Sequence, residues 1–143
     1  MFNYTHRMFE NDIPKIIEYI EANKLRTNVH LIVPMYGGLT IANKLRNIQG
    51  YKISLVKMSM YAEKDVKASW IHENGISVDE ELVIIDDLWD SGHTFKETMD
   101  LVRKSFPSNR ISAIALHGNK FCPAWLWYVN EKPPEWIKYE IWE

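Results

Sequence analysis

The chain predicts an α/β fold, a mostly parallel twisted sheet flanked by helices. Three observations carry that expectation. Short apolar runs at residues 30–34, 82–86 and 110–116 have the length and composition of buried strands. Segments whose apolar residues recur at helical spacing stand between them. Two of the runs end abruptly, one in Tyr36-Gly37-Gly38 and the other in Asp86-Asp87. In open α/β sheets, ligands bind just beyond the carboxyl ends of strands.

The elements follow in order. Asp12 reads as an N-cap with Pro14 in the first turn. Ile13, Ile16, Ile17 and Ile20 then predict an amphipathic helix over residues 13–23. HLIVP, residues 30–34, is a buried strand, broken by the glycine pair. Leu39, Ala42 and Leu45 restore helical spacing over residues 39–47. Residues 52–58 (KISLVKM) alternate as a strand does. Residues 59–79 are polar and lack periodicity, which predicts a long loop of the kind that forms mobile lids. Residues 82–86 form a strand. Phe95, Thr98, Met99 and Val102 share one face of a helix over residues 94–105. Residues 110–116 form another strand, residues 125–129 a short one, and residues 136–142 an extended end.

The whole chain sets bounds on partners and compartment. Its 143 residues fit one domain spanning residues 1–143. A formal net charge of -2 removes the basic bias that a nucleic-acid partner calls for. Cys122 is the single cysteine, so no intrachain disulfide framework exists and a reducing, cytoplasmic setting is expected. No CxxC or HExxH spacing suggests a zinc site. The N-terminus lacks a signal-peptide core, and no apolar run is long enough to cross a bilayer, so no membrane partner is expected. Trp125, Trp127, Trp136 and Trp142 all follow Pro123, an aromatic investment that needs a core, a ligand or a partner subunit.

Residues 83–94, VIIDDLWDSGHT, carry the most chemistry. The strand delivers Asp86 and Asp87 to its end, and Asp90 follows. Clustered carboxylates repel unless a cation or hydroxyl donors compensate, and their hard oxygens suit Mg²⁺. The same acids can cap the following turn. Ser91, Gly92, His93 and Thr94 open the next helix, where backbone N–H groups and the helix dipole favour an anion. Thr94 can equally serve as a simple N-cap. Acids joined to such a loop suggest a sugar phosphate. No GxxxxGK[ST] and no GxGxxG after a strand is present, which excludes a Walker loop and the dinucleotide fingerprint.

VIIDDLWDSGHT resembles the signature of the type I phosphoribosyltransferases: an apolar strand, two acids, two apolar residues, Asp, Thr or Ser, Gly, any residue, Thr. HLIVPMYGGLTIANKL resembles the pyrophosphate loop and its helix. Ser59-Met60-Tyr61 resembles the pair opening the mobile catalytic loop. EWIKYEIWE resembles the end of the xanthine-guanine branch. The resemblance implies a type I fold with a small base-binding element at residues 118–143, and a catalytic loop at residues 59–79 carrying Ser59 and Tyr61.

It also implies transfer of phosphoribose from 5-phosphoribosyl-1-pyrophosphate to a 6-oxopurine in purine salvage, with Mg²⁺ as cofactor and a homodimer or homotetramer as assembly. Asp86 and Asp87 would meet the ribose hydroxyls, directly or through Mg²⁺, with Asp87 as the metal-side acid. Asp90 would act as acid or base at purine N7. Ser91, Gly92, His93 and Thr94 would hold the 5-phosphate, and Tyr36 and Gly37 would border the pyrophosphate. Leu88 and Trp136 would sandwich the base, and the Ile137 backbone would bond its edge. Lys120 would donate to an exocyclic oxygen, unless His117 occupies that place. Tyr36 stands where the branch usually has arginine, and a neutral phenol there leaves open a non-catalytic nucleotide or phosphoribosyl pyrophosphate sensor on the same fold.

Overall fold

A computed structural model describes residues 1–61 and 65–142, with side chains for 1–59 and 66–142. The elements are β1 (Phe2–Tyr4), α1 (His6–Asn23), β2 (Val29–Pro34), α2 (Leu39–Gln49), β3 (Lys52–Tyr61), β4 (Asp65–His72), β5 (Glu81–Leu88), α3 (His93–Ser105), β6 (Arg110–Gly118), β7 (Leu126–Glu131) and β8 (Ile137–Tyr139), then a 3₁₀ turn at Glu140–Trp142. The main sheet has the order β4-β3-β2-β5-β6-β7. All neighbours in it are parallel except β4, which pairs antiparallel with β3. β1 and β8 form a separate parallel pair. Among the described residues, no helix is long and apolar enough to cross a membrane.

β2 and β5 are adjacent at the centre, and both read as nearly unbroken apolar runs because both faces are covered. Period-two alternation sorts their side chains. Leu31, Val33, Val83 and Ile85 meet α1 and α2. Ile32, Leu82 and Ile84 meet Phe95, Met99 and Val102 of α3. Parallel pairing brings the carboxyl ends of β2 and β5 to one edge, which places the glycine pair beside the acids.

Two sequence expectations are corrected. α1 begins at His6, because Thr5 is the N-cap and its Oγ1 accepts from the Met8 N–H at 3.1 Å. Asp12 is therefore no cap. It is buried inside the helix and accepts from Tyr4 Oη at 2.6 Å and Asn130 Nδ2 at 2.9 Å, tying β1 and β7 to α1. Residues 59–79 are not one irregular loop, since β4 pairs with β3 through Val56↔Trp70 and Ser59↔Lys67. Trp70 anchors that arm by donating from Nε1 to Ser105 Oγ at 3.0 Å and by meeting Phe106 edge-on. Backbone pairing needs no apolar periodicity, so a mostly polar hairpin carries little signal in sequence. β1, for which the sequence made no prediction, is a three-residue strand with no pattern of its own, formed by pairing with β8.

The amino ends of the strands carry a buried polar clamp. His30 Nε2 lies 2.7 Å from Ser54 Oγ and Nδ1 lies 3.3 Å from Glu80. Ser54 is fully buried and also accepts from the Asn74 N–H at 2.8 Å, so this Ser-His-Glu set ties β2, β3 and the segment before β5 together rather than exposing a nucleophile.

His117, near the end of β6, sits where the two sheets meet. Its ring packs edge-on against Tyr4 and Tyr139, and Nδ1 lies 3.0 Å from Tyr139 Oη. Burial pushes its imidazole down to about 4, so the folded chain holds it neutral. On acidification the unfolded chain takes up the proton first, so His117 removes stability as pH falls from about 6.5 towards the folded value. Urea unfolding of the wild-type chain and His117→Gln at pH 7 and pH 5 should show the wild type losing about 2 kcal/mol more than the variant. An equal loss in both would reject this account.

Candidate active site

The loop after β2 lies directly on the acids. A Cβ on Gly38 would stand 2.1 Å from the Ile85 carbonyl oxygen, and one on Gly37 would stand 2.5 Å from Asp86 Oδ1 and 2.8 Å from Asp87 Oδ1. Only glycine permits that approach. The Met35–Tyr36 peptide is cis. Tyr36 is exposed, and with Gly37, Leu39, Thr40, Ile141 and Trp142 it lines a cleft of 370 Å³.

Asp86 and Asp87 are 7% and 8% exposed. The Asp87 N–H donates to Asp86 Oδ1 at 2.9 Å. Burial holds both carboxyls above the usual range, and the neighbouring Asp87 charge pushes Asp86 well above it. Among the described residues, no basic side chain forms an ion pair with either. Nor do three or more His, Cys, Asp or Glu residues among them stand close enough together to hold a metal ion between them. The chain thus offers two carboxylates whose mutual repulsion a cation would relieve. That donor set fits Mg²⁺, which takes one or two carboxylates and completes its shell with water and substrate oxygens.

The loop from Asp90 to Thr94 is shaped from below. Gly92 has φ +81°, and a Cβ there would lie 2.3 Å from the Trp89 ring. Trp89 is buried beside Phe95 and Trp125, with Lys96 Nζ 5.5 Å from its ring centroid. Trp89 belongs to the core beneath α3 and is the floor of the loop. Gly92 is the N-cap of α3 and supplies no side-chain cap. The helix start is left to its backbone N–H groups and dipole, with Ser91 Oγ 3.4 Å from the His93 N–H.

A second cleft of 440 Å³ gathers Asp86, Asp87, Leu88, Asp90 and Thr94 on one wall. Trp136, 80% exposed, Ile137, Tyr139 and Trp142 form the other. Tyr139 bridges the two sheets, donating from Oη to the Asp87 carbonyl at 3.4 Å. Ser91, Gly92 and His93 adjoin this wall through Thr94.

Other expected residues are elsewhere. Lys120 does not line the cleft, and its Nζ lies over Phe121, 5.4 Å from the ring centroid. His117 faces a separate cavity of 410 Å³ beside α1, with Tyr4 and Asp12. Ser59 lies within β3 opposite Lys67, and the Tyr61 side chain falls outside the described residues. The cation that does line the cleft is Lys132, whose Nζ is 3.7 Å from Asp90 Oδ1. Sequence reasoning missed it, because its only local signal is the Pro133-Pro134 pair that follows.

The family described as the phosphoribosyl transferase domain matches residues 4–138. No curated protein sequence matches the chain. Among solved structures, the Helicobacter pylori xanthine-guanine-hypoxanthine phosphoribosyltransferase superposes with a TM-score of 0.81 at 16% identity, over 96% of this chain and 89% of that one. A purine phosphoribosyltransferase from Pyrococcus horikoshii does so with 0.79 at 22% identity, over 99% and 93%. A Neisseria gonorrhoeae protein with bound ppGpp gives 0.65 at 18% identity, over 96% and 88%. At these identities the likeness is one of fold.

Gly92→Ala should displace Trp89 and distort the loop, because the new methyl enters both a left-handed backbone conformation and the indole. The expected cost is about 1–3 kcal/mol in urea unfolding, with an altered near-ultraviolet circular dichroism band. Unchanged stability and spectrum would contradict the geometry.

Proposed function

The chain belongs to the type I phosphoribosyltransferase family, and on that premise we propose that it transfers phosphoribose from 5-phosphoribosyl-1-pyrophosphate to a 6-oxopurine, releasing pyrophosphate. The observation that carries this reading is the meeting of the Gly37 loop, the Asp86-Asp87 pair and the uncapped start of α3 at one sheet edge. It supports a site that holds sugar, leaving group and 5-phosphate together.

In the proposed reaction the bond from C1 to the pyrophosphate oxygen breaks, and its electron pair leaves with pyrophosphate. The base N9 lone pair forms the new bond to C1, and the N7 proton passes to the Asp90 carboxylate. Asp86 and Asp87 bind the ribose hydroxyls and face the positive charge that builds on the sugar. Ser91, Gly92, His93 and Thr94 hold the 5-phosphate. Tyr36 and Gly37 border the pyrophosphate. Leu88 and Trp136 sandwich the base, and the Ile137 backbone reads its edge. Mg²⁺, held by Asp87 directly or through water, would offset the charge of the pyrophosphate. The β3–β4 arm serves as the lid that excludes water, in place of the loop expected from sequence. Residues 118–143 act as the base-binding element of a single domain, in a cytoplasmic homodimer or homotetramer devoted to purine salvage.

A second reading is a nucleotide sensor on the same fold. Tyr36, 78% exposed and bringing no cation to the pyrophosphate loop, favours it.

The chain with phosphoribosyl pyrophosphate, Mg²⁺ and a panel of bases should yield nucleotide from at least one 6-oxopurine, detected by mass spectrometry. Nucleotide from no base would overturn the transferase and leave the sensor. Asp90→Asn should lower turnover about 100-fold or more while phosphoribosyl pyrophosphate affinity stays within about threefold; undiminished turnover would remove Asp90 from the chemistry. Tyr36→Arg should tighten pyrophosphate binding in calorimetry by about tenfold, the scale of one charge-assisted contact. Equal or weaker binding would show that the loop does not use a side-chain cation.

A further inference from the structure

We propose that the cavity beside α1 is a second ligand site, built for a small flat cation of the amidinium or guanidinium kind. Its volume is 410 Å³, within the range of about 300–1,000 Å³ usual for small-molecule sites. None of the residues that line it lines the cleft that holds Asp86 and Asp87. Phe2, Tyr4 and Met8 supply apolar wall. The polar wall comes from the ends of β6 and β7 and from one face of α1.

The class of ligand follows from which polar groups are already used. His117 Nδ1 lies 3.0 Å from Tyr139 Oη, and the one hydroxyl hydrogen of Tyr139 goes to the Asp87 carbonyl. Nδ1 therefore carries the hydrogen of the neutral ring, and Nε2 presents a lone pair. His117 is 2% exposed, and its Nε2 has no hydrogen-bond partner among the described residues. Tyr139 does not line the cavity, so the Nδ1 edge turns away from it and the Nε2 edge towards it. Both hydrogens of Asn130 Nδ2 are spent, on Asp12 at 2.9 Å and on the Leu116 carbonyl at 3.2 Å, which leaves its Oδ1 to accept. The Tyr4 hydroxyl hydrogen is spent on Asp12 as well. Glu131 uses Oε2 to accept from Tyr128 Oη at 3.1 Å, and Oε1 is left over.

The remaining capacity is thus mainly for accepting. Lys15 is the one basic residue of the lining, with Nζ 3.3 Å from Asp12 Oδ1 and a side chain 60% exposed. The carboxylates of Asp12 and Glu131 outnumber it, so the lining is net negative. Water could meet the acceptors, but one molecule takes roughly 30 Å³ and gains nothing from the apolar wall. An amidinium turns N–H groups towards Nε2 and Asn130, sets its charge near the two acids and lays its carbon body on Phe2 and Met8. A carboxylate of the same shape brings acceptors to acceptors and charge to like charge.

The test uses benzamidinium as probe and benzoate, its anionic counterpart in shape, as control, by calorimetry on the full chain at pH 7. The wild type should bind benzamidinium at least about tenfold more tightly than benzoate, the scale of one charge-assisted hydrogen bond. In the nitrogen-15 spectrum of histidine-labelled chain, the His117 Nε2 signal, identified by its absence from His117→Gln, should move upfield as the lone pair accepts a hydrogen bond. Met8→Trp places an indole in the cavity from its exposed rim and should weaken benzamidinium by about tenfold or more. Glu131→Gln, a surface change that leaves the fold intact, should weaken it by about two- to fivefold. No binding, equal binding of the two probes, an unmoved His117 signal, or undiminished binding in either variant would overturn the proposal. Neither probe takes part in phosphoribosyl transfer, so the result is independent of the proposed function. A chain that makes nucleotide but binds no benzamidinium loses only the second site, and one that binds it without making nucleotide keeps that site alone.

Discussion

The structure turns on two carboxylates buried side by side at the end of its central strand with no basic partner among the described residues. Burying acids is costly, and the Asp87 charge raises the proton affinity of Asp86 further. A chain selected for stability alone would fill such positions with apolar residues. Their neighbours make sense as consequences. Glycine is required at 37 and 38 because any side chain would strike the acids or the backbone beneath them. β2 must lie beside β5 for that contact to form, and the Tyr139 hydroxyl caps the Asp87 carbonyl from the small sheet. Among the described residues no basic side chain pairs with these acids, which is the feature that the proposed function draws on.

The loop after β5 and the wall that faces it across the cleft are built by different means. The loop of residues 90–94 rests on Trp89, which belongs to the core packed under α3. Its shape is thus tied to the interior and resists distortion as that core does. The facing wall is chain after β7, with Trp136 largely exposed and Lys132 held by one added rung of the sheet. On the proposed function, a stiff floor would serve the invariable part of a substrate and a lightly built wall the variable part.

His117 and Asp12 explain how that wall is carried. Neither lines the base-side cleft, yet Asp12 collects hydrogen bonds from Tyr4 and Asn130, and His117 packs among Tyr4 and Tyr139. These polar contacts dock the two-stranded sheet onto the end of β6 and β7. The position of Trp136, immediately before β8, depends on that docking.

By itself the sequence determined the order of strands and helices around the centre, the edge at which the glycine pair and the acids lie, and the residues of the acid-and-loop segment. Those features are local: apolar runs, helical spacing, and acids or glycines at the points where a run stops. Tertiary structure alone decided the rest. Helix α1 starts at His6, capped by Thr5, and Asp12 lies in its interior, where its partners Tyr4 and Asn130 come from other elements. The β3–β4 arm is held by backbone pairing, which leaves no apolar period to read. Lys132 reaches the cleft, and Lys120 does not, because parallel register between β6 and β7 sets which residue stands at the edge. Register is a relation between distant segments, and no single stretch of sequence contains it.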